Sequence, residues 1–513
     1  MLFNSNIFIF IFLPLTLLGY HLGRRSSVPT LCFWWLFAAS VAFYGYWDPR
    51  FLIVLGGSLL CNFALGKLIL GDRRRIYLVI GIAGNLLLLG TFKYLNFFSR
   101  DLSLLVGQDL TLPQLALPLG ISFFTFTQIA FLVDAYRGHV ADLRFANYGL
   151  FVTFFPHLIA GPIVHHAELM PQFDKPLRAE RLWRACAIGL ALFAFGLFKK
   201  VIIADNLATA ASPMFDAAAM GTAPTFVTAW SATLAYALQI YFDFSGYSDM
   251  AIGLGLLFGV RLPINFNSPY KAANIIDFWR RWHMTLSRFL RDYLYFPLGG
   301  NRRGKGRRYV NLMLVMIIGG LWHGAGWTFL LWGMLHGFYL AVNHAWQRLV
   351  GAPDSAGYRV GAHMVTLLAV VLAWVVFRAA SIDAAALVYK AMLGLNGMSL
   401  PLEFAPIANL LGFHHLTFFA ENSRADFYTG LAWIAGAGAV ALLLPNSIEV
   451  LAHYRPACNM TDIRPRGIAA AVGGRALAFA TRTRFAIAVG VLLFLSIKTM
   501  NSAAVTEFLY FNF

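Results

Sequence analysis

Long apolar runs, broken by short basic or glycine- and proline-containing stretches, fill most of the chain. Runs that are apolar on every face predict helices buried in protein or lipid, not the amphipathic surface helices of a soluble fold. They fall near residues 7–22, 30–47, 51–70, 77–98, 117–135, 182–203, 225–242, 246–260, 309–323, 327–347, 360–377, 427–444 and 485–498. A hydrocarbon core roughly 30 Å thick takes about 20 apolar residues per helix, so the pattern predicts an all-α, polytopic membrane bundle of about 11–13 spans. Residues 1–513 read as a single integral membrane domain, with its last helices within 427–498. The run from Ile7 to Leu22 is followed at once by Arg24 and Arg25, the reverse of a signal peptide's charge order, and reads as a retained first span.

Composition agrees with that picture, at 59% hydrophobic and 12% charged residues. Soluble domains carry about twice that charged share. The net charge of +17 could suggest nucleic acid, but Arg and Lys sit in blocks between apolar runs: Arg24-Arg25, Arg73-Arg74-Arg75, Arg302 to Arg308, and Arg464 to Arg484. Such blocks are a positive-inside signature facing membrane lipids, and no nucleic-acid partner is expected. Alternation then sets both termini outside, in the periplasm of a Gram-negative cell, with Arg137 and Arg144 inside. The 4 cysteines are scattered and form no metal-ligand spacing.

Three stretches resist this simple reading. Lys199-Lys200 lie within an apolar run and fit neither face, so snorkelling or a re-entrant segment is expected there. Residues 154–166 hold Pro156, His157, Gly161, Pro162, His165 and His166, and read as a re-entrant segment lining the interior. Residues 273–298 are too polar to span, and Trp279, Trp282, His283 and Leu286 would share one face of an interfacial amphipathic helix on the cytoplasmic side. The mixed segment near 379–426 should sit outside.

One histidine stands out as a centre for chemistry. His323 lies in Gly319-Gly320-Leu321-Trp322-His323-Gly324-Ala325-Gly326-Trp327, just after the basic loop that ends at Arg308. A helix from Tyr309 reaches it after only roughly 22 Å of rise, short of the far side of the bilayer. An ionisable group at membrane depth is costly unless it faces a cavity, which makes His323 the catalytic candidate and its neighbours Trp322 and Trp327 candidate tunnel residues. Desolvation disfavours imidazolium, so a neutral ring could remove a proton from a hydroxyl. A packing histidine bonded to a carbonyl is the plainer alternative.

Other candidates are weaker. His336, in Gly333-Met334-Leu335-His336-Gly337, should sit at another depth as a supporting group or a satisfied core histidine. Asp243, Ser245 and Asp249, between Tyr241 and Met250, could bind a polar substrate or close a turn between two helices. Arg280, Arg281, Arg288 and Arg291 could meet lipid head groups or an anionic nucleotide-like donor, with Arg280, Arg281 and His283 at the donor entrance. His157, His165 and His166 lack a carboxylate at ligand spacing, so no metal site is expected and His157 stays a tunnel candidate. No phosphate-cradling loop, G-x-S-x-G elbow or H-E-x-x-H occurs, which removes the residues an ATP-driven pump or serine hydrolase would need.

Taken together, Phe155-Pro156-His157-Leu158-Ile159-Ala160-Gly161-Pro162, the Tyr241 to Met250 run, Phe278-Trp279-Arg280-Arg281-Trp282-His283, Arg291-Asp292-Tyr293-Leu294-Tyr295, Leu298-Gly299-Gly300-Asn301-Arg302, Gly319 to Trp327 and His336-Gly337 resemble the membrane-bound O-acyltransferase (MBOAT) family. The resemblance is strongest to its bacterial branch that holds the inner-membrane alginate O-acetyltransferase subunit. These motifs run from about 90 to 380. The ends, Asn4 to Phe8 and Glu507 to Phe511, also resemble that branch, whereas 395–480 offers no match.

The resemblance implies that His323 matches the family's catalytic histidine, within helices and re-entrant segments around a transmembrane tunnel. It implies an acyltransferase with no permanently bound cofactor, taking acetyl from acetyl-CoA or a similar acyl thioester. The acetyl group would cross the inner membrane for O-acetylation of an exported polysaccharide such as alginate or cellulose. It further implies a periplasmic SGNH-type acetyltransferase and polysaccharide-synthesis and export machinery as partners. The competing expectations are D-alanyl transfer to teichoic acid, as in a related branch, and a non-enzymatic polysaccharide or lipid transporter.

Overall fold

The computed structural model describes all residues except 27, 29, 110, 111, 113, 114, 175, 176, 352, 354, 411–415, 420–423, 461–482, 503–505 and 513. The basic block from Arg464 to Arg484 therefore lies largely outside the described residues. Among the described residues, six helical stretches are long and apolar enough to cross a membrane: Phe51–Asp72, Arg75–Val106, Glu180–Ala219, Ala356–Arg378, Asp426–Leu443 and Thr483–Ser502. Leu31–Gly45 and Ile121–Tyr136 are apolar but shorter. Large apolar side chains such as Ile53, Leu87 and Phe494 point outward, as a lipid-facing surface requires. Among the described residues the only sheet is a parallel pair of three-residue strands, β1 (Ser399–Pro401) and β2 (Thr417–Phe419).

The helices that build the centre are α1 (Arg75–Leu89) and α2 (Leu95–Val106), joined by a π-helical turn at Gly90–Tyr94. Next come α3 (Ala179–Phe198) and α4 (Asp205–Ala219), joined by a π turn at Lys199–Ala204, and α5 (Phe226–Leu257). They are followed by α6 (Lys305–His323), α7 (Trp327–Leu349) and α8 (Ala356–Arg378). The middle of the fold is α5, buried without interruption from Ala235 to Leu257.

Glycine sets how closely α3 approaches α5. A Cβ added at Gly189 would come within 2.6 Å of the Gly253 carbonyl, and one added at Gly246 within 2.8 Å of the Gly196 carbonyl. Two contacts seven residues apart on each helix lock an antiparallel crossing, the small-residue packing that membrane helices use where lipid offers no hydrophobic drive.

That crossing decides the fate of the polar residues. The pattern predicts two helices, 225–242 and 246–260, separated by a polar turn. The structure has one helix of 32 residues, with Asp243, Ser245 and Asp249 in its buried middle. The carboxylates need no turn because the neighbouring helix supplies counterions. Lys200 Nζ lies 2.8 Å from Asp243 and 2.9 Å from Asp205, while Lys199 Nζ lies 2.6 Å from Asp249. Ser447 donates to Asp249, and Lys199 also reaches Ser447 Oγ at 2.9 Å. Neither lysine snorkels; the π turn at 199–204 turns both inward, where three ion pairs take them up.

A second correction concerns residues 273–298. They do not form one amphipathic helix. Asn274 caps a short turn, Ile275–Trp279, by accepting from the Asp277 N–H at 2.9 Å. The chain then breaks at 280–283, where His283 takes a left-handed conformation (φ 42°), and restarts as Met284–Leu290. Burial explains the break: Trp282 and His283 go into the core, so a single exposed-against-buried stripe cannot form. Residues 154–165 are buried, His165 only partly, and irregular apart from the short helix Phe155–Leu158, and His166 opens the helix His166–Asp174. Their backbone groups find partners in neighbouring helices, Phe155 N donating to Ser40 Oγ at 3.2 Å and Ile163 N to Thr285 Oγ1 at 3.0 Å.

Removing one partner of a buried ion pair strands the other, at about 3–5 kcal/mol. Lys200→Met should therefore lower the melting temperature of the detergent-purified protein sharply, whereas Arg50→Met, at an exposed pair with Asp48, should leave it almost unchanged. Equal melting of the two variants would show that Asp243 is not held by Lys200.

Candidate active site

His323 is the last residue of α6, and the helix ends there although the bundle continues. The final carbonyls of a helix have no partner within it and need donors from elsewhere. Two consecutive side chains of the π turn at 90–94 supply them. Tyr94 OH donates to the Leu321 carbonyl at 2.5 Å, and Lys93 Nζ donates to the Trp322 carbonyl at 2.6 Å and the His323 carbonyl at 2.9 Å. A cation at this end also suits the helix dipole. After the extended residues Gly324 and Gly326 the chain returns as α7, antiparallel to α6. Gly320 faces the Phe329 carbonyl and Gly333 faces the Met316 carbonyl, so any Cβ at either position would drive the helices apart.

The His323 ring is buried among aromatic edges: Trp322 at 5.0 Å, Trp332 at 5.1 Å and Phe377 at 5.2 Å between centroids. A second histidine stands beside it, with the His283 ring 6.4 Å away. The protonation of His283 can be read from its partners. Asn265 Oδ1 accepts from the Thr285 N–H at 3.3 Å and from Thr285 Oγ1 at 2.9 Å, which identifies that atom as the amide oxygen. His283 Nδ1, 3.0 Å from the same oxygen, must then carry the proton, leaving Nε2 as the ring's acceptor. The left-handed backbone at 283 points this ring inward from the break between the two short helices.

His336 sits on the other side of Trp332, whose ring lies 4.7 Å from it. Trp279 Nε1 donates to His336 Nδ1 at 3.3 Å, so the His336 proton resides on Nε2, which is buried and has no hydrogen-bond partner among the described residues. The two histidines of α6 and α7 are thus separated by one indole ring.

Two cavities approach this aromatic layer and share no lining residue. The smaller, about 70 Å³, is lined by Lys93, Ser122, Ile159, Trp322, His323 and Phe511 among others. The larger, about 690 Å³, reaches from a basic rim of Arg280, Arg291, Arg308 and His344 down to Trp279, Met284, Leu290 and Met316. A more polar cavity of about 810 Å³ shares Arg280, Arg308 and His344 with it and adds Arg348. Arg288 also lines the larger cavity but is committed to Glu168 through two bonds of 2.5 and 2.8 Å, with Asn459 donating to the same carboxylate.

The sequence candidates divide accordingly. Trp322 and His323 line the small cavity, and Arg280 lines both basic ones. His283, expected beside Arg280 and Arg281, lies instead against His323. Arg281 faces Asp277 at 2.9 Å and the Asn267 carbonyl at 3.3 Å. Trp327 is half exposed and donates to Asp101 at 3.0 Å. His157 is buried against Phe154 and lines neither cavity, and Asp243, Ser245 and Asp249 remain in the ion-paired interior of α5. Sequence reasoning missed Lys93, although a lone lysine inside the 77–98 run was signal enough, and it missed Arg308 and His344 as one cluster.

The sequence profile described as the membrane-bound O-acyltransferase family matches residues 76–382. The chain is 46% identical over 433 residues to the peptidoglycan O-acetyltransferase of Helicobacter pylori, covering 78% of this chain and 81% of that one. It is 42% identical over 405 residues to the probable alginate O-acetylase AlgI of Pseudomonas aeruginosa, covering 76% and 75%. Similarity to the teichoic acid D-alanyltransferase of Streptococcus thermophilus is 27% over 238 residues, covering 45% of this chain and 57% of that one.

Burial works to raise the Glu168 carboxyl, but its bonds to the Arg288 guanidinium override that and hold it below its ordinary 4.5. A depressed carboxylate stabilises the fold above its unfolded-state value and loses that contribution as pH falls through the folded value. Glu168→Gln should therefore melt below wild type at neutral pH, and the gap should close in strongly acidic buffer. A gap that persists unchanged at low pH would contradict the assignment.

Proposed function

The chain belongs to the membrane-bound O-acyltransferase family, and we propose that it relays acetyl groups from a cytoplasmic acyl thioester such as acetyl-CoA to the O-acetylation of an exported cell-envelope polysaccharide. The observation that carries this reading is His323 on the wall of one cavity while a larger basic cavity comes up to the same aromatic layer from another direction. Acetyl transfer to a polysaccharide accords with the names of the two relatives matched over three quarters of the chain.

Sidedness supports the direction of the relay. Arg137, Arg302 and Arg303 line one surface cavity, and Arg73 packs against Gly138, so the basic clusters share a face. By the positive-inside rule that face is cytoplasmic, which opens the basic cavity to a phosphate-bearing donor. The first and last segments lie together, Asn4 donating to the Thr506 carbonyl at 3.0 Å and Asn6 to Asn501 at 2.7 Å. Phe511 on the wall of the His323 cavity supports the reading that both ends lie on the periplasmic side of a bacterial inner membrane. A periplasmic SGNH-type acetyltransferase would receive the acetyl group there and pass it to the polymer.

In this reading Arg280, Arg308 and Arg348 hold the donor's phosphates, and its acyl end passes Trp279 and Trp332 to reach His323. His323 takes the proton of the acceptor hydroxyl as the new C–O bond forms, then returns it to the departing thiolate. His283, whose Nε2 accepts, is the neighbouring group able to share that proton. Positioned bases contribute about 10²–10⁴-fold, so His323→Ala should abolish O-acetylation while the protein stays at normal levels in the membrane. Wild-type acetylation in that variant would overturn the proposal. Arg280→Ala should raise the donor KM about tenfold, the worth of one charge-assisted contact, with kcat little changed; an unchanged KM would remove Arg280 from the donor site.

A further inference from the structure

The small cavity holds a group that the acyl-transfer reading above does not use. Lys93 lines it together with His323, and among the described lining residues it is the only lysine or arginine. Two of its N–H donors go to the Trp322 and His323 carbonyls, and Nζ is also 3.5 Å from Ser122 Oγ across the same cavity. Capping a helix end needs hydrogen-bond donors only. Tyr94, next in the chain, does that work with a neutral hydroxyl at the Leu321 carbonyl and does not line the cavity. An ammonium beside the proposed base is a costly choice for a cap alone, because charge in a low-dielectric interior demands a compensating partner. The cavity's volume of about 70 Å³ admits a group the size of an acetyl.

We propose that Lys93 is a catalytic residue of the transfer at His323, its ammonium stabilising the negative charge that builds on the acyl oxygen. This rests on the reading of His323 as the base. When the acceptor oxygen attacks the acyl carbon, the new C–O bond forms and the carbonyl π pair moves onto oxygen. That oxygen is held by the Lys93 ammonium. The pair then returns, the C–S bond breaks, and the thiolate leaves with the proton that His323 took from the acceptor. No oxidant or further reactant is needed.

Preorganised donors of this kind are worth about 10²–10³-fold in kcat. The test measures acetyl transfer from labelled acetyl-CoA by the full-length protein in detergent, with melting temperature recorded for each variant. Lys93→Met removes charge and donors; Lys93→Gln keeps amide donors for the two carbonyls but removes the charge; Tyr94→Phe removes the neighbouring cap alone. Both Lys93 variants should lose about hundredfold or more in kcat with donor KM within about threefold, and Lys93→Arg should recover at least tenfold of that loss. Tyr94→Phe should stay within about threefold of wild type, whatever its melting temperature. A Lys93→Gln kcat near wild type, or a Tyr94→Phe loss as deep as that of Lys93→Gln, would reduce Lys93 to a helix cap. If Lys93→Met does not fold, Lys93→Gln decides alone. Lys93→Gln at full rate with His323→Ala inactive overturns this inference only, whereas an active His323→Ala overturns the reading beneath it.

Discussion

The structure depends on ending a helix inside the bundle, away from bulk solvent. α6 stops at His323, and the carbonyls of Leu321, Trp322 and His323 are met by Tyr94 and Lys93 from a single π turn. Each such group left bare in a low-dielectric interior costs several kcal/mol. Once the end is capped, the glycines that follow can turn the chain, α7 can return against α6, and a histidine can stand at a helix terminus instead of along a helix wall. The position of the candidate base is thus a consequence of how the backbone is satisfied.

The same rule governs α5. Its two buried carboxylates are tolerable because Lys199 and Lys200 face them across a crossing that glycines hold tight. Those ion pairs fix the depth of α3 and α4 against α5, and Lys200 and Asp243 also hold the last segment, through the Glu507 carbonyl at 2.8 Å and the Leu509 N–H at 3.0 Å. That segment brings Phe511 to the wall of the His323 cavity. Residues that could have bound a polar substrate or closed a turn are in effect the fastening that builds one side of the candidate site.

Apolar periodicity was enough to reveal an all-helical membrane bundle, because lipid burial leaves a signal in every residue of a span. His323 was legible for the same reason, as a polar residue where none is free of cost. What was not legible depended on partners far away in the chain. The continuity of α5 through Asp243 and Asp249 required knowing that two lysines lie opposite. The break at 280–283 and the inward turn of His283 required Asn265 and Thr285. Arg281 resembles Arg280 in sequence, yet Asp277 four residues back takes up one while the other lines the cavities. Charge pattern locates a face; only packing tells which charge is spent on the fold.

The account rests on a donor from the basic cavity reaching His323 past Trp279 and Trp332. The most direct measurement is an electron-cryomicroscopy map of the full-length protein bound to a non-hydrolysable thioether analogue of acetyl-CoA. Phosphate density at Arg280 and Arg308, with the acetyl end beyond Trp332 and within hydrogen-bond reach of His323, is the predicted result. An acetyl end that stops on the near side of Trp279, with His323 still enclosed and untouched, would contradict it.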